Sequence, residues 1–259
     1  GGRSRQEMET SAGKEEVADR RPVRVEPGTT KNAGHFRDYY SAQLHELLGE
    51  DGLEQMMAAF ATPLPVTVRL AGVSGSQSLA ADNMHRQLVE ALRQTDGGDA
   101  KEEQTLTRFE WYPNQAAWQL NLGKKELRSP QLAKFQQLLL RETSVGNLSR
   151  MEAVSMIPAL VLNPLPGEIV LDMCAAPGSK TGQIMEQVVT ATMATGAVVA
   201  NDPDIKRAQL MIKRTKTLAT PSLVVTAMPG QNFPIMQRED GEPLHFDRVL
   251  CDVPCSGDG

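Results

Sequence analysis

Apolar side chains first recur at helical intervals between residues 35 and 60. His35, Phe36, Tyr39, Tyr40, Leu44, Leu47 and Leu48 make one stripe, and Leu53, Met56, Met57 and Phe60 a second. Pro63 and Pro65 end that helical run. Val66–Leu70 (VTVRL) then reads as a strand, Ala80 to Thr95 as a helix and Thr105 to Tyr112 as a returning strand, with a turn at Gly97, Gly98 and Asp99. These elements predict a small α+β domain. The stretch from Asn121 to Glu142 is polar and helix-forming, and Gly146 and Asn147 break it. Ser149 with Glu152 three residues on matches a capping box, and a short apolar helix follows to Pro158.

After Pro164 and Pro166 the pattern changes to strands alternating with helices. Ile169 to Met173, Ala197 to Asn201, Ser222 to Thr226 and Arg248 to Cys251 read as strands. Lys180 to Val189 and Ile205 to Leu218 read as helices. Such alternation predicts a parallel sheet with right-handed crossovers, and ligands then belong at the carboxyl ends of its strands. Ahead of all this, residues 1 to 34 mix charges with Gly, Ser and Thr and carry almost no large apolar groups, so they are expected to form a disordered tail. The predicted division is a tail at 1–34, a helical and α+β domain at 35–145, and an α/β domain at 146–259.

Composition adds few constraints. With 27 basic against 32 acidic residues the chain is mildly acidic, so any surface for a polyanion must be a local patch. Three cysteines without paired metal-ligand spacing indicate neither a disulfide framework nor a zinc site, and a reducing intracellular compartment is expected. No metal is expected. No apolar run reaches membrane-spanning length, so no membrane contact is expected either. The chain starts at Gly1 without methionine, so a preceding targeting segment stays open, and nucleus, cytoplasm and mitochondrion are not told apart.

Two strands end in loops with chemical capacity. The first runs Asp172, Met173, Cys174, Ala175, Ala176, Pro177, Gly178, Ser179, Lys180. Its small residues let a ligand approach the backbone, and the following helix offers free N–H groups. The spacing is neither that of a phosphate-binding P-loop nor the three-glycine dinucleotide fingerprint, so S-adenosyl-L-methionine fits better than ATP or NAD. Asp202 ends the second strand, where a carboxylate can accept from both ribose hydroxyls or can cap the next helix; both readings stand. The second loop runs Asp252, Val253, Pro254, Cys255, Ser256. Exposed after a buried strand, Cys255 reads from the residues alone as a nucleophile, whereas Cys174 and Cys251 near strand ends read as buried packing residues.

Five stretches resemble the Nop/Sun-domain RNA (cytosine-C5) methyltransferases, within them most closely the eukaryotic tRNA (cytosine-5-)-methyltransferases. They are Trp111 Tyr112 Pro113, Ser149 to Pro158 (SRMEAVSMIP), Leu171 to Thr181 (LDMCAAPGSKT), Ala200 to Asp202 (AND) and Cys251 to Gly259 (CDVPCSGDG). The resemblance implies an incomplete Rossmann-like S-adenosylmethionine-dependent methyltransferase sheet preceded by an RNA-recognition-like α+β domain, acting on RNA and specifically tRNA. It implies that Cys174, Ala175, Ala176, Pro177, Gly178, Ser179, Lys180, Asp202, Arg207 and Asp252 bind the cofactor. Asp252 and Cys255 are implied to be catalytic.

In C5 methylation a thiolate adds to C6 of the base, the resulting enamine takes the methyl group, a base removes the C5 proton and the thiol leaves. The family implies that Asp252 binds the N3/N4 edge of the cytosine. It also implies that the Pro-Cys residue, here Cys255, assists product release, while a second cysteine in a later Thr-Cys motif forms the covalent bond. No Thr-Cys pair occurs within these 259 residues, so the expectation is a fragment inactive by itself, its open sheet covered by missing residues or by a protein partner. The family also places an aspartate against the adenine amino group after the third strand, where this chain has Thr226 Ala227 Met228 Pro229 Gly230. Two other readings remain: an inactive methyltransferase fold serving as an RNA-binding scaffold, and, more weakly, a nitrogen methyltransferase, whose usual Asp/Asn-Pro-Pro-aromatic run is absent. Lys124, Lys125 and Arg128 form a charge cluster that is either a solvated face or an RNA contact.

Overall fold

A computed structural model describes residues 33–72, 77–94, 106–123, 125–189, 196–218 and 220–254. The expectations for residues 1–32, for the Gly97–Asp99 turn, and for Lys124 and Cys255 lie outside the described residues. Helix α1 (Ala33–Ala61) begins two residues inside the predicted tail and breaks at Gly49, whose φ of 65° and ψ of 179° are not helical. A positive φ costs glycine little, and the break folds the second stripe back on the first. Phe36 meets Phe60 with ring centroids 5.5 Å apart and Tyr40 at 4.8 Å, and Arg37 pairs with Glu54. This helical pair is a unit by itself, distinct from the unit that begins at Thr62.

In that second unit, β1 (Val66–Leu70), β2 (Leu106–Arg108), β3 (Ala117–Leu120) and β4 (Leu148–Arg150) form an antiparallel sheet in the order β2-β3-β1-β4. Val66 and Val68 bury one side of β1 in a core with Trp118 of β3, Phe135 and Leu139 of α3 (Ala133–Ser144) and Leu88 of α2 (Gln77–Arg93). Trp118 Nε1 donates to His85 Nδ1 at 3.1 Å, so the indole N–H is satisfied inside that core.

Sequence expectations miss in this half in four places. The returning strand is only Leu106–Arg108 before the chain turns, and β3 supplies the central partner of β1. The polar stretch from Asn121 opens as short 3-10 turns at Glu126–Arg128 and Pro130–Leu132, with Pro130 at the start of the second, where its missing N–H costs nothing; α3 starts only at Ala133. Ser149 caps nothing. It lies in β4 opposite Arg69, which carries the first sheet beyond residue 145, and α4 (Ala153–Leu162) starts after Glu152. Finally, α4 continues through Pro158 and ends at Asn163 in left-handed conformation, at φ 47°.

The last part follows expectation closely. β5 (Ile169–Asp172), β6 (Ala197–Asn201), β7 (Leu223–Thr226) and β8 (Arg248–Leu250) form a wholly parallel sheet in the order β7-β6-β5-β8. α5 (Ser179–Val188) connects β5 to β6 and α6 (Ile205–Thr215) connects β6 to β7. Successive strands step one way from β5 to β7, and β8 returns to the other side of β5. The carboxyl ends of β5 and β8 therefore flank a topological switch point, where open α/β sheets bind ligands.

The second face of β1 is polar and still buried. Thr67 donates to the Met151 carbonyl, and Arg69, 1% exposed, reaches α5 with a two-pronged contact to Glu186 at 2.6 and 3.2 Å. This ion pair joins the antiparallel sheet to the parallel one.

Candidate functional site

β5 brings one carboxylate to the switch point. Asp172 is 1% exposed, and burial pushes its pKa up to about 6 against the Thr181 hydroxyl, which donates to Oδ2 at 2.7 Å. Its Oδ1 is buried without a partner among the described residues. The loop that follows is held by its own backbone and by neighbouring strand ends. Ala175 N–H donates to the Asn201 carbonyl at 2.8 Å, and Gly178 N–H to the Ala175 carbonyl at 2.7 Å. Gly178 is required here twice over: its φ is 96°, and a Cβ would stand 2.8 Å from Met211 Cγ on α6.

Asp202 and Arg207 stand behind this loop. Asp202 Oδ2 accepts from Ala176 N–H at 3.2 Å and its Oδ1 from Asp204 N–H at 3.1 Å, while Arg207 donates to the Ala176 carbonyl at 2.7 Å and lies 3.4 Å from Asp202. The helix-cap reading of Asp202 is thereby overturned, because Asp204 caps α6 by accepting from the N–H groups of Lys206 and Arg207. Asp202 is fully buried and shapes the loop from beneath.

Lys180, in the first turn of α5, pairs at 2.8 Å with Asp252, which follows β8. The pair spans the two strand ends and leaves Asp252 half exposed. A cleft of about 580 Å³ opens over it, lined by Asp172, Cys174, Ala175, Ala176, Pro177, Ser179, Lys180 and Asp252. The opposite wall carries Thr67, Arg128, Arg150 and Glu152 from the antiparallel sheet and its neighbours. Of the expected site residues, Gly178, Asp202 and Arg207 support the cleft from behind, the others line it, and Cys255 lies outside the described residues.

The cysteine expectation needs correction. Cys251 is exposed, and Cys174 is half-buried on the cleft wall, its thiol pushed up in pKa by burial and by the nearby Asp202 carboxylate. After β7, the Asn201 side chain accepts from Met228 N–H at 3.2 Å and donates to the Met228 carbonyl at 2.8 Å. That backbone is thus already engaged where the sequence lacks a carboxylate. Sequence reasoning passed over Asp172, although an acid closing an apolar strand was visible, and over Arg150 and Glu152, which only the antiparallel sheet brings to the cleft. Among the described residues no cluster of three His, Cys, Asp or Glu could hold a metal, and no helix is long and apolar enough to cross a membrane.

The parallel sheet, its strand order and the loops at its switch point define a Rossmann-like methyltransferase fold. Two solved structures share it: a methyltransferase homolog protein from Pyrococcus horikoshii, at TM-score 0.57 and 20% identity over 90% of this chain and 65% of that one, and NSun6 from the same organism, solved with SFG, at TM-score 0.57 and 16% identity over 85% and 70%. Residues 159–259 match the family described as 16S rRNA methyltransferase RsmB/F. Among curated relatives, the multisite-specific tRNA:(cytosine-C(5))-methyltransferase of Saccharomyces cerevisiae is 40% identical over 222 residues, 82% of this chain and 32% of its own length. The tRNA (cytosine(34)-C(5))-methyltransferase of Drosophila melanogaster is 37% identical over 86% of this chain and 32% of its own. The chain thus spans about a third of the length of these relatives.

Proposed function

We propose that the chain is the cofactor-binding part of an S-adenosylmethionine-dependent RNA (cytosine-C5) methyltransferase acting on tRNA. The observation that carries this reading is the Lys180–Asp252 pair of 2.8 Å across the ends of β5 and β8, at the mouth of a cleft floored by the small-residue loop. The cofactor fits these residues: a buried carboxylate oxygen of Asp172 lacks a donor, and the cofactor's ammonium is one. Cys174, Ala175, Ala176, Pro177, Ser179 and Lys180 would hold it, with Gly178, Asp202 and Arg207 fixing the loop. When bound, S-adenosylmethionine supplies an electrophilic methyl group.

The chain's own residues do the rest. Lys180 orients the Asp252 carboxylate toward the cleft, where it can accept from a cytosine N4 amino group. Arg128 and Arg150 on the facing wall offer cations to RNA phosphates, in keeping with an RNA-positioning role for the α+β part, residues 35–145 extended by β4. Cys255 would assist product release, as the family resemblance implies. The names of the yeast and fly relatives support tRNA as the substrate.

Calorimetric titration with S-adenosylmethionine tests the cofactor reading directly. The wild-type chain is expected to bind, and Lys180→Ala to bind at least tenfold more weakly, because a charged contact contributes on the order of 1.5–3 kcal/mol. Failure of the folded wild-type chain to bind would overturn the proposal.

A further inference from the structure

Most described arginines face an acid. Arg37, Arg69, Arg108, Arg141, Arg207, Arg238 and Arg248 each pair with a carboxylate. Arg150 and Arg214 do not pair with one among the described residues, and both line the main cleft and a second one beside it. This second cleft, of about 440 Å³, runs between the end of α3, β4 and the end of α6. Ser179 lines both clefts, so they adjoin, and Lys213 adds a third cation to the second. Its carboxylate, Glu186, is neutralised by Arg69. The wall also carries the Thr143 hydroxyl, a buried oxygen without a partner among the described residues.

Burial pushes the Arg150 guanidinium down from its usual pKa, with no acid acting against it. Arg150 is exposed to the cleft, and a cation there without a carboxylate partner is a seat for an anion from outside. Lys213 and Arg214 also sit in the last turn of α6, where cations suit the helix dipole. That accounts for two of the three and not for Arg150 on a strand, nor for the orphaned hydroxyl on the same wall.

We infer that this second cleft is a seat for RNA backbone phosphates, with Arg150, Lys213 and Arg214 as its cations, carrying the strand away from the base-binding cleft. The inference rests on the RNA reading above and adds to it the path of the substrate. The seat is built from both sheets, so it exists only when the α+β part is docked against α5 and α6.

The test is fluorescence anisotropy of a labelled tRNA transcript with the 259-residue chain across a salt series. Each phosphate contact contributes about 0.7–0.9 to the slope of log affinity against log salt. Lys213→Gln/Arg214→Gln is expected to reduce the slope by about 1.4–1.8 and to weaken binding at 0.1 M salt by tenfold or more. Arg150→Gln should reduce it by a further contact. The comparison pair is Arg86→Gln/Lys134→Gln, which lines a separate cleft and should change the slope little. An unchanged slope in the first pair, an equal loss in the comparison pair, or no tRNA binding by the wild-type chain overturns the inference. S-adenosylmethionine titrations of the same preparations separate the two readings: cofactor binding with an unaltered slope removes the phosphate seat alone, whereas absent cofactor binding removes the proposed function.

Discussion

Asp172 is the residue at which folding and ligand binding are most directly opposed. Its carboxyl has a folded pKa of about 6 against an ordinary 3.8, so the folded protein binds the proton more tightly than the unfolded chain. Stability is therefore highest below the unfolded value and falls as pH rises from about 4 through 6, by roughly 3 kcal/mol once ionisation is complete. Thermal melts from pH 4 to 7 should show that decline in the wild type and a flatter profile in Asp172→Asn. A cation seated against Oδ1 would favour the ionised form, so S-adenosylmethionine should release a fraction of a proton on binding near pH 6, measurable by calorimetry in buffers of different ionisation enthalpy. Gly178 makes a second residue-scale case. Gly178→Ala meets both an unfavourable φ and Met211 Cγ at 2.8 Å, and a loss of about 1–3 kcal/mol in chemical denaturation is expected.

At the scale of elements, legibility followed the source of the order. β5 to β8 and α5 were readable to within a residue, and α6 stops three residues before the expected Leu218; β5, β6 and the two helices bury apolar runs or one apolar face, and periodicity records that. The small sheet was readable only in part. β3 (AWQL) and β4 (LSR) are three or four residues long, and their order comes from pairing with β1, a partner distant in sequence. Ser149 shows the consequence: a local capping signal yields to a ladder with Arg69. The main loop was legible as a cradle from its small residues. Its facing wall was not, since Arg150 and Glu152 reach the cleft only through that ladder. The Arg69–Glu186 contact is the testable hinge between the two sheets. Glu186→Gln or Arg69→Met should cost about 3–5 kcal/mol, because each leaves a buried charge without its partner. The double replacement by apolar residues should recover much of that loss in the same denaturation experiment.

Over the whole molecule, charge sorts by function more than by amount. The net charge of −5 gives no support for a polyanion partner, yet seven described arginines are paired with acids while Arg150 and Arg214 line the clefts without such a pair among the described residues. A net value averages over this segregation, which is why composition did not register it.

The Arg69–Glu186 bridge has one more consequence. Since the buried arginine of β1 needs a glutamate about two turns along the helix Ser179–Val188 beside the other sheet, neither part can be exchanged singly for a counterpart from a different protein. A chimera that imports the small sheet must import that glutamate as well, and the pair of positions should be inherited together or lost together.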